Sequence, residues 1–85
     1  MVGRARALML EGNIVAARLF FERAADEGSA DAALALGGTF DPIELGKIMA
    51  HGLKPDAQQA RRWYEKAASL GNAEATQRIS RLGGR

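Results

Sequence analysis

Residues 17–32 and 60–75 carry one pattern twice, 43 positions apart. Ala17-Arg18-Leu19-Phe20-Phe21-Glu22-Arg23-Ala24-Ala25-Asp26-Glu27-Gly28 returns as Ala60-Arg61-Arg62-Trp63-Tyr64-Glu65-Lys66-Ala67-Ala68-Ser69-Leu70-Gly71. The aromatic pair, the alanine pair, the glycine and a later alanine (Ala32, Ala75) keep their offsets. Where the copies differ the change is often conservative: Arg23 becomes Lys66, Ser29 becomes Asn72, and Asp31 becomes Glu74. A fixed period of this length marks a helical repeat array, in which each unit buries its apolar face only against its neighbours. Such arrays present binding surfaces for other macromolecules, so the repeat speaks to mode of action and not to the identity of a partner.

Helix signals sit where the repeat needs them. Asn13 is placed to cap a helix running to about Glu27, with Ile14, Ala17, Phe21, Ala24 and Ala25 at helical spacing. Gly28 ends it, because glycine takes the left-handed closing conformation without penalty. Ser29 caps a return helix that gives out near Gly37-Gly38-Thr39-Phe40. Asp41-Pro42-Ile43-Glu44 then reads as a capping-box-like start for a short helix to about Ala50. Asp56, with Gln59 three positions on, caps a helix to about Leu70, and Asn72 opens the last, to about Leu82. Before all of these, Ala5 to Glu11 reads as the end of a leading helix closed by Gly12. The expected architecture is all-α, an α-α superhelix of about five to six short antiparallel helices. Its parts are a partial leading helix at 1–12, a first repeat at 13–40, an inserted short helix at 41–51 and a second repeat at 52–82.

Composition agrees. The 85 residues suffice for one small domain with a modest core. Apolar residues make up 47%, much of it alanine with only five aromatics, which suits close helix packing better than a sheet. Net charge is only +2, too weak to indicate nucleic acid on its own. It is unevenly spread: residues 1–43 sum to −2 and residues 44–85 to +4, an asymmetry that can steer an acidic partner or simply reflect solvated helix faces. No cysteine is present, so there is neither a disulfide staple nor a thiolate metal site. No stretch approaches the roughly 20 apolar residues that cross a bilayer. The Arg4-Ala5-Arg6-Ala7-Leu8-Met9-Leu10 run is interrupted by Glu11 and Gly12, too early for a convincing signal peptide. A soluble chain is expected; the cytoplasm fits, and an envelope location is not excluded.

The repeat resembles the Sel-one-like repeats, a branch of the tetratricopeptide superfamily. That family's pattern runs Asp, Ala, an aromatic pair, Ala-Ala, Gly and Ala at fixed spacings. Asp56, Ala60, Trp63-Tyr64, Ala67-Ala68, Gly71 and Ala75 match it at every step. Asn13, Ala17, Phe20-Phe21, Ala24-Ala25, Gly28 and Ala32 match it with one exchange, and Leu36-Gly37 with Phe40 continue it. Gly52-Leu53-Lys54-Pro55-Asp56 is similar to the family's turn before the capping aspartate. The resemblance covers about residues 13–82. It departs at Asp41 to His51, which stretch the repeat well beyond the superfamily's roughly 34 residues and are expected to interrupt a regular superhelical rise. In the superfamily the first helix of each pair lines a concave peptide groove. The resemblance therefore implies that Arg18, Leu19, Glu22, Arg61, Arg62 and Glu65 face a ligand, with arginine available to a carboxylate or a chain terminus. The other reading of these side chains is solvated surface charge.

Catalytic chemistry is not legible. His51 is the only histidine, with Asp41, Glu44 and Asp56 as the nearest carboxylates in sequence, and a turn histidine explains it without a metal. Asp41, Glu44 and Asp56 account for themselves as helix starts. Gly37-Gly38 and Gly83-Gly84 lack the setting of a phosphate loop. Trp63-Tyr64 beside Arg61-Arg62 suit stacking on single strands, but the repeat places both rings on the packing face. No catalytic residue, metal or cofactor is assigned.

The function read from the sequence is a protein-interaction or scaffolding module presenting a helical groove to a protein or peptide. Two alternatives stand beside it. One is a self-associating structural unit, or an excised part of a longer array. The leading segment, with Val2, Leu8, Met9 and Leu10, has no polar cover and offers a route to a homodimer, whereas Gln77, Arg78, Ser80 and Arg81 give the last helix a polar face. The other is weak nucleic-acid binding through the basic second half.

Overall fold

The computed structural model describes residues 13–47 and 54–83. Five helices lie within them: α1 (Ile14–Asp26), α2 (Ala30–Gly38), α3 (Pro42–Lys47), α4 (Ala57–Ser69) and α5 (Ala73–Arg81), with no strand among the described residues. The fold is all-α, as the repeat implies. The leading helix, the end of the inserted helix and His51 lie outside the described residues.

The two repeats close their first helices in the same way. Gly28 (φ 99°) and Gly71 (φ 105°) take the left-handed conformation. The amide of Ser29 donates to Ala24 and that of Gly28 to Ala25; one repeat on, Asn72 donates to Ala67 and Gly71 to Ala68. These paired bonds form the Schellman closure, which satisfies carbonyls that a helix end otherwise leaves open. The next residue at once caps the return helix: Ser29 Oγ accepts from Ala32 N at 3.1 Å, and Asn72 Oδ1 from Glu74 N at 2.9 Å. Each hairpin thus reverses over very few residues, which forces its helices antiparallel.

Stacking of one hairpin on the next depends on small residues. Ala17, Ala24, Ala25, Ala32, Ala33, Ala60, Ala67 and Ala75 line a core into which the rings of Phe21 and Tyr64 are fully buried. Side chains this small let helix backbones approach, and each ring fills the space left over. The closest approach joins α2 to α4. A Cβ on Gly37 would stand 2.5 Å from Tyr64 Cδ1 and 3.1 Å from the Ala60 carbonyl oxygen, so only glycine fits there. The C-terminal end of α2 therefore lies against the first half of α4, while Asn72 Nδ2 donates to Asp31 Oδ1 (3.1 Å) at the opposite ends. With α2 antiparallel to both, α1 and α4 run parallel to each other.

The insertion does not separate the two units. Asp56 N donates to the Phe40 carbonyl at 2.8 Å, so the chain entering the insertion touches the chain leaving it. Asp41 Oδ1 caps α3 by accepting from Ile43 N (2.8 Å), and Asp56 Oδ1 caps α4 by accepting from Gln58 N and Gln59 N (3.1 Å each). The reciprocal half of a capping box is absent at both places. The Asp41 amide donates to the Gly37 carbonyl and the Asp56 amide to that of Phe40, while Glu44 turns to Lys47 and Arg78.

Candidate interaction face

Two side-by-side helices present the groups singled out from the sequence. Val15, Leu19, Glu22 and Asp26 on α1, and Gln58, Arg62, Glu65 and Ser69 on α4, are all exposed. The spacing explains this: each set lies on the side of its helix away from the stripe that begins Ala17-Phe21-Ala24 or Ala60-Tyr64-Ala67. Val15 is 61% and Leu19 70% exposed, a pair of large apolar side chains one turn apart with no cover among the described residues. Lys66 Nζ lies 3.8 Å from Asp26 Oδ1, tying the C-terminal ends of α1 and α4 along this face.

The two arginines at equivalent positions have different surroundings. Arg18 is half-buried and committed to the fold: Nε donates to Thr39 Oγ1 at 3.0 Å, Nη2 donates to the Thr39 carbonyl, and the guanidinium lies 3.9 Å from the centre of the Phe40 ring. A cation thereby meets the partly negative C-terminal end of α2. Burial lowers the Arg18 pKa from its ordinary value, and the group stays charged at neutral pH. One period on, Leu82 and Gly83 stand where Thr39 and Phe40 would be, and Arg61 Nε is buried without a hydrogen bond among the described residues. Arg62 is exposed and free of ion pairs among the described residues, and Glu22 and Glu65 are exposed beside Leu19 and Arg62.

The aromatic pairs divide their work. Phe21 and Tyr64 are core, as expected, but Phe20 and Trp63 are half-buried at its edge. Consecutive residues on a helix point about 100° apart, so both rings of a pair cannot fill one gap. Arg62, Trp63 and Lys66 line a surface cleft of about 180 Å³, with Lys66 Nζ 5.9 Å from the centre of the Trp63 ring.

On the opposite side of α4 lies a polar network that sequence reasoning missed. Tyr64 donates its hydroxyl to Asp41 Oδ2 at 2.7 Å, with both residues buried. Arg78 turns inward and is not part of the outer polar face of α5. It pairs with Glu74 at 2.7 Å, approaches Glu44 at 3.9 Å and stands 5.7 Å from the centre of the Tyr64 ring. Burial and the bond to Asp41 push the Tyr64 phenol well above its ordinary value, so it stays protonated and donating. These contacts fix α3 to α4 and α5. The readable signal was the exchange of a core Phe21 for a tyrosine at the equivalent Tyr64, because a buried hydroxyl needs a partner. No group of histidine and carboxylate side chains among the described residues is arranged to hold a metal ion, and no described helix is long and apolar enough to cross a membrane.

Comparison with known proteins gives one family. The model described as Sel1 repeat matches residues 3–29 and 30–72, two adjoining stretches that together cover most of the chain. The second runs from the first residue of α2, across the insertion, to the capping Asn72 of α5. No curated protein and no solved structure matches the chain.

Proposed function

Because the chain belongs to the Sel1 repeat family, whose repeats are in general non-catalytic protein-interaction modules, we propose that the parallel face of α1 and α4 is its docking groove for a protein or peptide. The observation that carries this reading is the exposure of Val15 and Leu19 beside a charged rim. Scattered exposed apolar residues are ordinary, but here two large ones sit one turn apart on a helix whose other side is fully used in packing. Leu19, Glu22, Arg62 and Glu65 supply the contacts. Arg18 acts from behind, holding Thr39 and Phe40 in place, and Arg61 contributes whichever of its donors the core leaves unused. An apolar centre rimmed by charges of both signs suits a short peptide segment, with the apolar pair giving affinity and the rim giving register.

The experiment is selection of peptides from a displayed random library on the 85-residue chain, followed by titration of the selected sequences against wild type and Leu19→Asp. Circular dichroism and thermal melting establish that the variant is folded. Loss of binding by roughly tenfold or more supports the groove, since truncating or reversing a central contact costs about 1.4 kcal/mol or more. Selected peptides that bind Leu19→Asp and wild type equally place the function on another surface.

A further inference from the structure

We infer that the Arg62–Trp63–Lys66 cleft is a receptor for the side-chain carboxylates of an acidic peptide segment, held in check by Asp26. This rests on the docking reading of the α1/α4 face and names the chemistry of its occupant. A volume of about 180 Å³ is below the roughly 300–1,000 Å³ of small-molecule sites and suits one or two side chains of a chain lying across the face. Arg62 and Lys66 are one helical turn apart and line the cleft together with the half-buried Trp63, whose ring centre lies 5.9 Å from Lys66 Nζ. The ring floor lowers the local dielectric and supports the methylene stems of an incoming glutamate, which makes each charge–charge contact stronger than on open surface.

The charge pattern around the cleft selects the class of ligand. The first repeat has Leu19 where the second has Arg62, so the equivalent position there is apolar and only the second repeat is built for an anion. Asp26 already reaches Lys66 at 3.8 Å, a long ion pair between two exposed groups, and it acts as an internal competitor. Glu22 and Glu65 stand exposed on the same face and limit the positive field to the cleft. A nucleic-acid backbone, with a phosphate at every step, meets those carboxylates as it leaves the cleft. An acidic peptide, with its charges separated by neutral backbone and apolar side chains, can set an apolar side chain and not a charge beside Glu22 and Glu65.

Trp63 is the only tryptophan of the chain, so its emission reports on the cleft directly. The test is a titration of the full chain with a capped heptapeptide of alternating glutamate and leucine, beside its glutamine counterpart and a poly-dT oligonucleotide. The expected result is a saturable change in Trp63 emission with the glutamate peptide and none with the glutamine peptide. Arg62→Ala should weaken binding roughly three- to fivefold, as should Lys66→Ala, and Asp26→Asn should tighten it about two- to fivefold by releasing Lys66. The opposite signs at two exposed positions separate recognition from loss of fold. Equal response to both peptides, indifference to Arg62→Ala, no tightening by Asp26→Asn, or saturation by the oligonucleotide alone each overturns the inference. The docking reading fails separately: library peptides that ignore Leu19→Asp defeat it, while glutamate-bearing peptides that lose affinity for Leu19→Asp but ignore Arg62→Ala defeat only the cleft.

Discussion

Replacing Gly37 by alanine should destabilise the protein even though alanine is the better helix former. In an open helix the exchange gains up to about 1 kcal/mol. Here the new Cβ would lie 2.5 and 2.6 Å from two ring carbons of Tyr64 and 3.1 Å from the Ala60 carbonyl, against about 3.5–4.0 Å for unstrained carbon contacts. The ring has nowhere to turn, since it is fully buried and its hydroxyl is tethered to Asp41 at 2.7 Å. Either α2 and α4 separate by about 1 Å, which loosens the main seam of the fold, or the Tyr64–Asp41 bond breaks. Overpacking of this kind costs about 1–3 kcal/mol, and disturbing the bond adds about 1 kcal/mol. After the helix gain, a net loss of roughly 1–3 kcal/mol remains, or a fall in Tm of roughly 5–20 °C for a domain of this size. Gly46→Ala is the internal control: its Cβ meets nothing within 4 Å, so it should leave Tm unchanged or raise it by a few degrees. Thermal melts of both variants by circular dichroism decide the matter. A Gly37→Ala protein as stable as Gly46→Ala would refute the close approach of α2 and α4.

The remaining predictions concern side chains that sequence and structure treat differently. Arg18→Ala should cost about 1–3 kcal/mol in urea unfolding, because two hydrogen bonds to Thr39 and the contact with Phe40 are lost; Arg61→Ala, lacking those partners, should cost clearly less. Tyr64→Phe leaves a buried carboxylate oxygen of Asp41 without its donor and should cost about 1–3 kcal/mol at neutral pH. The same tyrosine predicts an alkaline limb: its folded pKa is raised, so its contribution is intact below the unfolded value of about 10 and is lost as pH rises above it. Melts across that range should show the loss in wild type and a flatter profile in Tyr64→Phe. Asn72→Ala removes a cap that accepts two amides and reaches Asp31, and should cost about 1 kcal/mol; Asn13→Ala removes one 3.3 Å bond and should cost less.

What the sequence disclosed follows from periodicity. Helices α1 and α4 were readable because a cap, a 3.6-residue apolar spacing and a stop glycine agree at Asn13 to Gly28 and again at Asp56 to Gly71, and the other three were placed by the capping residues Ser29, Asp41 and Asn72. The exposed faces of α1 and α4 were readable for the same reason, as the complement of the buried alanine stripe. Tertiary partnerships were not, since they join residues far apart in the chain: Arg18 with Thr39, Asp41 with Tyr64, Glu44 with Arg78. Nothing in the helical spacing says that Arg18 turns to Thr39 and Phe40, while Arg61, at the same position of its repeat, has Leu82 and Gly83 at the equivalent places. The insertion hides a long-range contact in the same way, since the Asp56–Phe40 bond joins the chain on either side of it.

The central claim is that the α1/α4 face is the surface that binds. Its most direct test is amide chemical-shift mapping of the labelled chain during titration with a library-selected peptide. The account predicts shifts concentrated at Val15, Leu19, Glu22, Arg62 and Glu65, with the outer residues of α5, Thr76, Gln77 and Ser80, unmoved. Shifts centred on α5 and absent from Leu19 and Arg62 would contradict it.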